Sequence, residues 1–459
     1  MDVEEFRKRG YETIDRIFSS RVEPGYLKLL LPEKAPEEPE PWEAIQSDIE
    51  TKIIPGITHW QSPNFFALYP ANSSFPSILA GMYSDMFNVI GFNWSSSPAC
   101  TELEPIVLDW MAKLIGLDPK FYSNGKGGGV IQASASEATL VTLLAARHRI
   151  LEEYKEKGAN EEELRSISTR LVAYGSDQTH SCLKKAAKIT NTLDRALPTD
   201  HNFSLRGVTV KQAIEKDIAN GLIPFYVVGT IGTTDSAAID KLTEIANAIK
   251  GTKIWLHVDA AYAGAALVCP EFKYLLKGIN RADSFDFNMH KWLLANFECS
   301  CLWINNRYHL INALSVSQDI LKNPASDSGL VIDYKDWEIP PKGLREHIRK
   351  MVRLTRQFHN KLLRYPDLFV ISTPPKFALV NFHIKPNNIF TKSSNELTEI
   401  ICDRLNESGK VLLSLTKMRG QSIIRFSPGS PLTTEKHVDS AFELLLNVAE
   451  GVIAYSLKN

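Results

Sequence analysis

Apolar positions in the middle of the chain come in short runs rather than long stripes. Leu171-Val-Ala-Tyr174, Phe225-Tyr-Val-Val228 and Ile254-Trp-Leu-His-Val258 are continuous enough for strands buried on both faces. Between them, Glu137 to Tyr154 and Ile239 to Ile249 carry helical spacing. That alternation, from about residue 75 to 340, predicts an α/β domain with a mostly parallel sheet and ligands at the carboxyl ends of its strands. The pattern changes at both ends. Residues 1–74 offer an apolar stripe at Phe6, Ile14, Ile17 and Phe18, then a Pro/Glu-rich stretch from Pro32 to Pro41, then anchors at Ile53, Ile54, Ile57 and Trp60. A helical segment with so little to bury internally is expected to pack on another domain or another copy of the chain. Residues 341–459 read as a small α+β domain, with strands at Phe377–Phe382 and Ser422–Phe426 and an amphipathic helix at Glu435–Ala454.

Composition narrows the function classes. A length of 459 residues suits two or three domains at about 150 residues each. Lys+Arg 52 against Asp+Glu 53 leaves a net charge of -1, so no basic excess draws in nucleic acid or anionic membrane. The longest apolar stretch, Ile78 to Val89, is broken by Asp85 and Asn88, which argues against a membrane span. Six cysteines without a C-x-x-C pair, and a charged start, point to a soluble cytoplasmic protein.

Familiar motifs are missing. Gly125-Lys-Gly-Gly-Gly-Val130 fails the dinucleotide pattern, no P-loop or G-x-S-x-G elbow occurs, and the eleven histidines form no H-E-x-x-H zinc motif. What remains sits at strand ends. Ser134-Ala135-Ser136-Glu137 fits a capping box, and the same helix start can bind an anion; an ordinary cap is the simpler alternative. Thr230-Ile-Gly-Thr-Thr234 is a hydroxyl-rich turn able to reach a phosphate, or merely a tight turn. Asp259 ends a run so apolar that its burial requires a cation or donor. Lys291, between Met289 and Trp292-Leu-Leu294, is placed where desolvation would free its amine for Schiff-base chemistry, although most lysines are surface residues. His180 lies beyond the Leu171–Tyr174 strand, where a structural histidine is the bland option. Together these pieces match what a pyridoxal phosphate enzyme requires: an amine, an acid for the ring nitrogen, an aromatic cover and a phosphate cup.

Asn288-Met-His-Lys291-Trp-Leu-Leu294, His257-Val-Asp259-Ala-Ala-Tyr-Ala-Gly264, Ser176-Asp-Gln-Thr-His180-Ser181, Ser97-Pro-Ala-Cys-Thr-Glu-Leu-Glu104 and Pro55-Gly-Ile-Thr-His-Trp-Gln-Ser-Pro-Asn-Phe-Phe-Ala67 closely resemble the pyridoxal phosphate-dependent aromatic amino acid decarboxylases of group II. The resemblance covers nearly the whole chain. It implies an aminotransferase-like large domain, a small C-terminal domain and an N-terminal helical flap exchanged in a homodimer whose active site lies at the interface. By matched motif it implies that Lys291 carries pyridoxal 5'-phosphate covalently, Asp259 pairs with its ring nitrogen and His180 stacks on the ring. It further assigns Ala135, Ser136, Thr234, Asn288 and His290 to the phosphate and its surroundings. Trp60, Phe65, Tyr69 and Pro70 are implied to line the aromatic substrate pocket, with Phe92 reaching in from a partner subunit.

Three departures bear on the outcome. Where the family carries a tyrosine before Leu-Lys, this chain has Ile320 in Ser317-Gln-Asp-Ile-Leu-Lys322, and an alkyl group has no proton to give. Tyr334 belongs to a separate motif, Asp-Tyr-Lys-Asp-Trp337, and is no substitute. After Trp337-Glu-Ile-Pro340 the chain passes directly into its C-terminal part, without the basic segment and helix of the relatives. Leu68 and Ala71 occupy pocket positions where relatives often have an aromatic and a hydroxyl residue. Decarboxylation to an arylalkylamine is the leading expectation. An aldehyde synthase, in which the unprotonated carbanion meets O2, and a catalytically silent homologue are the alternatives.

Overall fold

In the computed structural model the described residues are 22–57, 73–89, 91, 93–315, 346–376, 379–385, 392–408, 410–411, 413–418, 420–426 and 434–456. They fall into two units, one running to Ser315 and the other holding the C-terminal residues from 346 onward. The expected domain boundary at 340 lies outside the described residues, as does the apolar stripe of Phe6 to Phe18. Residues 22–57 belong to the first unit.

Seven strands form the centre of the first unit: β1 (Gly128–Gln132), β2 (Leu171–Ser176), β3 (Leu193–Leu197), β4 (Ile223–Thr230), β5 (Trp255–Asp259), β6 (Ser284–Asn288) and β7 (Ser300–Ile304). Their order is β1-β7-β6-β5-β4-β2-β3. The pairs among β3, β2, β4, β5 and β6 are parallel, and β7 runs antiparallel to both β6 and β1. Every residue of β2, β5 and β6 is buried, which is why their sequences read as unbroken apolar runs with isolated polar residues. The helix Ala135–Glu156 crosses this sheet, burying Ala138, Val141, Leu143, Ala145 and Ala146. On the core side Phe287 and Trp303 stack at 5.7 Å, next to Phe285.

One helix differs from expectation. It spans Leu242–Ala248 rather than 239–249. The reason is Asp240, whose carboxylate accepts from the Leu205 N–H at 2.7 Å and the Thr230 N–H at 2.8 Å, while Ile239 bridges to Ile231. Those ties hold the segment extended for three more residues. The Ser134 cap is likewise half of the expected box. Its Oγ accepts from the Glu137 N–H at 3.3 Å, but the Glu137 carboxylate reaches back to the Ala133 N–H, one residue before the cap.

The second unit contains an antiparallel sheet of order β10-β11-β9-β8, made of β8 (Phe369–Lys376), β9 (Leu379–Ile384), β10 (Ser414–Met418) and β11 (Gln421–Phe426). Helices Glu346–Leu362, Ser394–Glu407 and Glu435–Ser456 accompany it. Phe358 stacks on Phe426 at 3.7 Å and meets Phe442 edge-on at 5.6 Å, forming the centre of a separate core. Ser393 and Glu396 make a complete capping box at the start of the second of these helices.

Candidate active site

The carboxyl ends of β4, β5 and β6 converge with the start of the helix Ala135–Glu156 around a cavity of about 200 Å3 within the first unit. Register makes this possible: Thr230 pairs with Asp259, and Asp259 with Asp286, so neighbouring strands end at one level. Ala135, Ser136, His180, Thr234, Asp259, Asn288, His290 and Lys291, each singled out in the sequence, all line the cavity. Ser134 and Thr230, which flank two of those motifs, line it too, together with Gly232, Ala261, Tyr262 and Phe297. Trp60, Phe65, Tyr69, Pro70 and Phe92 lie outside the described residues, as do Ile320 and Tyr334.

Lys291 stands in a single helical turn, Met289–Trp292, directly after β6. Burial lowers the pKa of its amine, and the Asp259, Asp286 and Cys182 groups oppose that only in part. Asp259 is 4% exposed, and its Oδ1 accepts from the Ala261 N–H at 2.9 Å, which fixes the carboxylate at the strand end. His290 is buried beside the amine. Its Nδ1 accepts from the Cys299 N–H at 2.9 Å, and its ring meets Phe297 edge-on at 4.8 Å. Burial, then the charge of Lys291, lowers the His290 pKa, so it stays a neutral hydrogen-bonding group at working pH. His180 sits on the exposed lip with Nδ1 accepting from the Cys182 N–H at 3.3 Å, a bond that orients the ring.

The helix start completes the cup. Ser134 satisfies the Glu137 N–H, leaving the amides of Ala135 and Ser136 at the positive open end of the helix dipole. On the opposite rim the turn after β4 is held open by Gly232, whose φ is +87° and whose missing Cβ would lie 2.6 Å from that of Ala263. Arg307 locks the glycine segment leading into β1. Its guanidinium donates to the Ser123, Gly125 and Gly127 carbonyls at 3.0, 2.6 and 2.7 Å. Among the described residues no group of His, Cys, Asp and Glu is placed to hold a metal ion, and no helix is long and apolar enough to cross a membrane.

A nucleophilic lysine facing a buried carboxylate, under an anion-binding helix start, defines a lysine enzyme built for an anionic cofactor with a cationic ring. Residues 24–342 match the pyridoxal-dependent decarboxylase conserved domain, and the chain belongs to that family. Tryptophan decarboxylase 2 of Oryza sativa subsp. japonica is 42% identical over 487 residues, covering 99% of this chain and 96% of that protein. Phenylacetaldehyde synthase of Arabidopsis thaliana is also 42% identical, over 99% of this chain and 97% of its own. The crystal structure of Oryza sativa TDC with PLP and tryptamine superimposes with a TM-score of 0.67 at 34% identity, covering 98% of this chain and 99% of that one. Alignments of 487 residues against a chain of 459 mean that the relatives carry segments absent here.

The cavity fits the family's cofactor on its own terms. Asn288 Oδ1 and Thr230 Oγ1 are buried at its wall without a hydrogen-bond partner among the described residues, an arrangement that buried polar atoms rarely keep unless a ligand meets them. With that cofactor bound, Lys291 would offer the amine for its aldehyde, Asp259 the anion for its ring nitrogen, and the Ser134–Ser136 amides and hydroxyls with Thr234 a seat for its phosphate.

Proposed function

We propose that the chain removes the α-carboxyl group of an aromatic L-amino acid as CO2 and releases the arylalkylamine. The observation that carries this reading is the facing of Lys291 and Asp259 across one cavity, with the lysine amine biased toward its neutral form. Pyridoxal phosphate, when bound, supplies a carbonyl for the substrate amine and a ring that takes up the electrons left at Cα. The residues do the rest. Lys291 holds and releases the cofactor as a base whose lowered pKa keeps an amine available. Asp259 stabilises positive charge on the ring nitrogen where it is needed as the carboxylate leaves. His180 would cover the ring face, and Asn288 and His290 would meet its edge. The aromatic substrate class is supported by the decarboxylase relatives and by the motif Pro55 to Ala67. Incubation with tyrosine, dopa, tryptophan, 5-hydroxytryptophan and phenylalanine, with CO2 and amine measured together, tests it; no CO2 from any of them refutes it.

A second reading has a specific motive. Ile320 stands where the family's loop tyrosine would give a proton, and an aldehyde synthase is as similar to this chain as a decarboxylase is. In that case CO2 release is accompanied by aldehyde, ammonia and peroxide, and Ile320→Tyr restores amine as the product.

The chain also acts as a homodimer in this proposal. Helix Phe75–Phe87 exposes Phe75, Leu79, Met82 and Met86, and helix Pro98–Ile115 exposes Leu103 and Trp110, with Phe75 64% and Trp110 62% exposed. Such apolar area on a single chain calls for a covering partner. All six cysteines are free, which suits the reducing cytosol. Sedimentation of wild type and a Met82→Glu variant tests the dimer.

A further inference from the structure

A second carboxyl group lies behind Asp259. Register pairs Asp259 with Asp286 and His257 with Ser284, so these side chains form a square on one face of β5 and β6. His257 Nε2 lies 3.2 Å from Asp286 Oδ1, both side chains being fully buried. On its other edge His257 Nδ1 is 2.8 Å from Ser284 Oγ, which already accepts from Trp255 Nε1 at 2.8 Å. Among the described residues neither Asp286 oxygen receives an N–H or O–H in hydrogen-bond geometry, and His257 Nε2 has no such partner either. An ionised Asp286 would therefore be an uncompensated charge in a dry interior, beside a second carboxylate.

We propose that Asp286 is a positioning residue held as the neutral acid beside His257, so that Asp259 alone of this square presents negative charge to the cavity. The groups facing the pair are Asp259 on β5, Tyr226 on β4, stacked 6.0 Å from His257, Cys182 from the helix Cys182–Thr190, Cys301 on β7 and Lys291 after β6. Burial pushes the Asp286 carboxyl up and Asp259 pushes it further, against the pull of Lys291. Burial also lowers His257 to about 4, so the imidazole is an acceptor rather than a cation. The consequence reaches Lys291. An ionised Asp286 would add to the pull of Asp259 toward the charged amine, whereas a neutral one leaves burial the larger influence by a wider margin.

Only the role of Asp259 toward a ring nitrogen rests on the proposed function; the state of Asp286 does not. The test is infrared spectroscopy of the full-length protein at pH 8, with and without cofactor. A protonated-carboxyl C=O band that moves in D2O and is lost in Asp286→Asn is expected. Should the variant fold poorly, wild type labelled with 13C at aspartate carboxyls is titrated by NMR instead, and one aspartate is expected to stay protonated through pH 8. Absence of the band, its persistence in Asp286→Asn, or ionisation of every aspartate below pH 8 overturns the proposal. A protein that shows the band but binds no pyridoxal phosphate refutes the function and leaves this inference standing.

Discussion

Replacing Asp240 by Asn should remove a loss of stability that the wild type suffers as pH rises from 4 to 6. Asp240 is 2% exposed and binds two backbone N–H groups, yet burial raises its pKa from 3.8 to about 6, with Asp259 and Asp177 adding to the shift and the two N–H bonds opposing it. The sign follows from proton counts. Between pH 4 and 6 the folded chain keeps a proton that the unfolded chain has released, so Asp240 makes stability fall as pH rises through that window. A shift of about two pKa units corresponds to about 3 kcal/mol at pH 7, an order-of-magnitude figure. Asparagine carries no charge and so avoids that cost, but it has one oxygen for the two N–H groups and turns its NH2 toward the other, a penalty of about 1–3 kcal/mol at every pH. Alanine keeps no acceptor and leaves two buried N–H groups unmet, at about 1–3 kcal/mol each. Denaturant unfolding followed by fluorescence, with Trp255 and Trp303 buried in this unit, provides the assay at pH 4, 5, 6 and 7. The Asn-minus-wild-type difference should start below zero at pH 4 and climb by about 3 kcal/mol across the series. A flat difference, or one that falls with pH, would refute the reasoning.

Further outcomes are specific to the site. Lys291→Ala should abolish borohydride-fixed cofactor and lower kcat by about a thousandfold or more, as loss of a covalent nucleophile does, while the melting temperature of the cofactor-free chain holds. Gly232→Ala places a Cβ 2.6 Å from Ala263 at a φ of +87°, and should cost about 1–3 kcal/mol and weaken cofactor retention measured by fluorescence titration. Ser134→Ala removes the cap of the helix Ala135–Glu156, for a loss of about 1 kcal/mol in unfolding experiments. Arg307→Ala, which frees three carbonyls of the segment 123–127, should lower stability more than Ser134→Ala, by about 2–4 kcal/mol.

Legibility in the sequence followed physical locality. The strands β2, β4 and β5 were readable because burial on both faces leaves a continuous apolar signature. Lys291 and Asp259 stand out because a charge beside an apolar run is costly unless used, and His180 because it follows a strand end; the three share one cavity. The helix after β4 was misread by three residues because the Asp240 carboxylate binds amides from two distant segments, which no local period reveals. Phe297 was missed since it reaches the cavity through a turn in which Leu294 has a φ of 57°, outside any periodic pattern. His257 and Asp286 were hidden inside apolar-looking strands, and only the pairing of β5 with β6 brings them together. Their available signal was the alternation Ser284-Phe-Asp-Phe-Asn288, polar at every second position of a buried strand.

Because the shared level of Thr230, Asp259 and Asp286 is dictated by a hydrogen-bonded ladder, the site is digital in its tolerance of change. Surrounding loops can lengthen or shorten by degrees. One residue added within β5 or deleted from it rotates the acid through the sheet to the opposite side, away from Lys291 and the cavity they share. Diversification of such an enzyme is thereby channelled into its peripheral segments, with the strand ends left as they are.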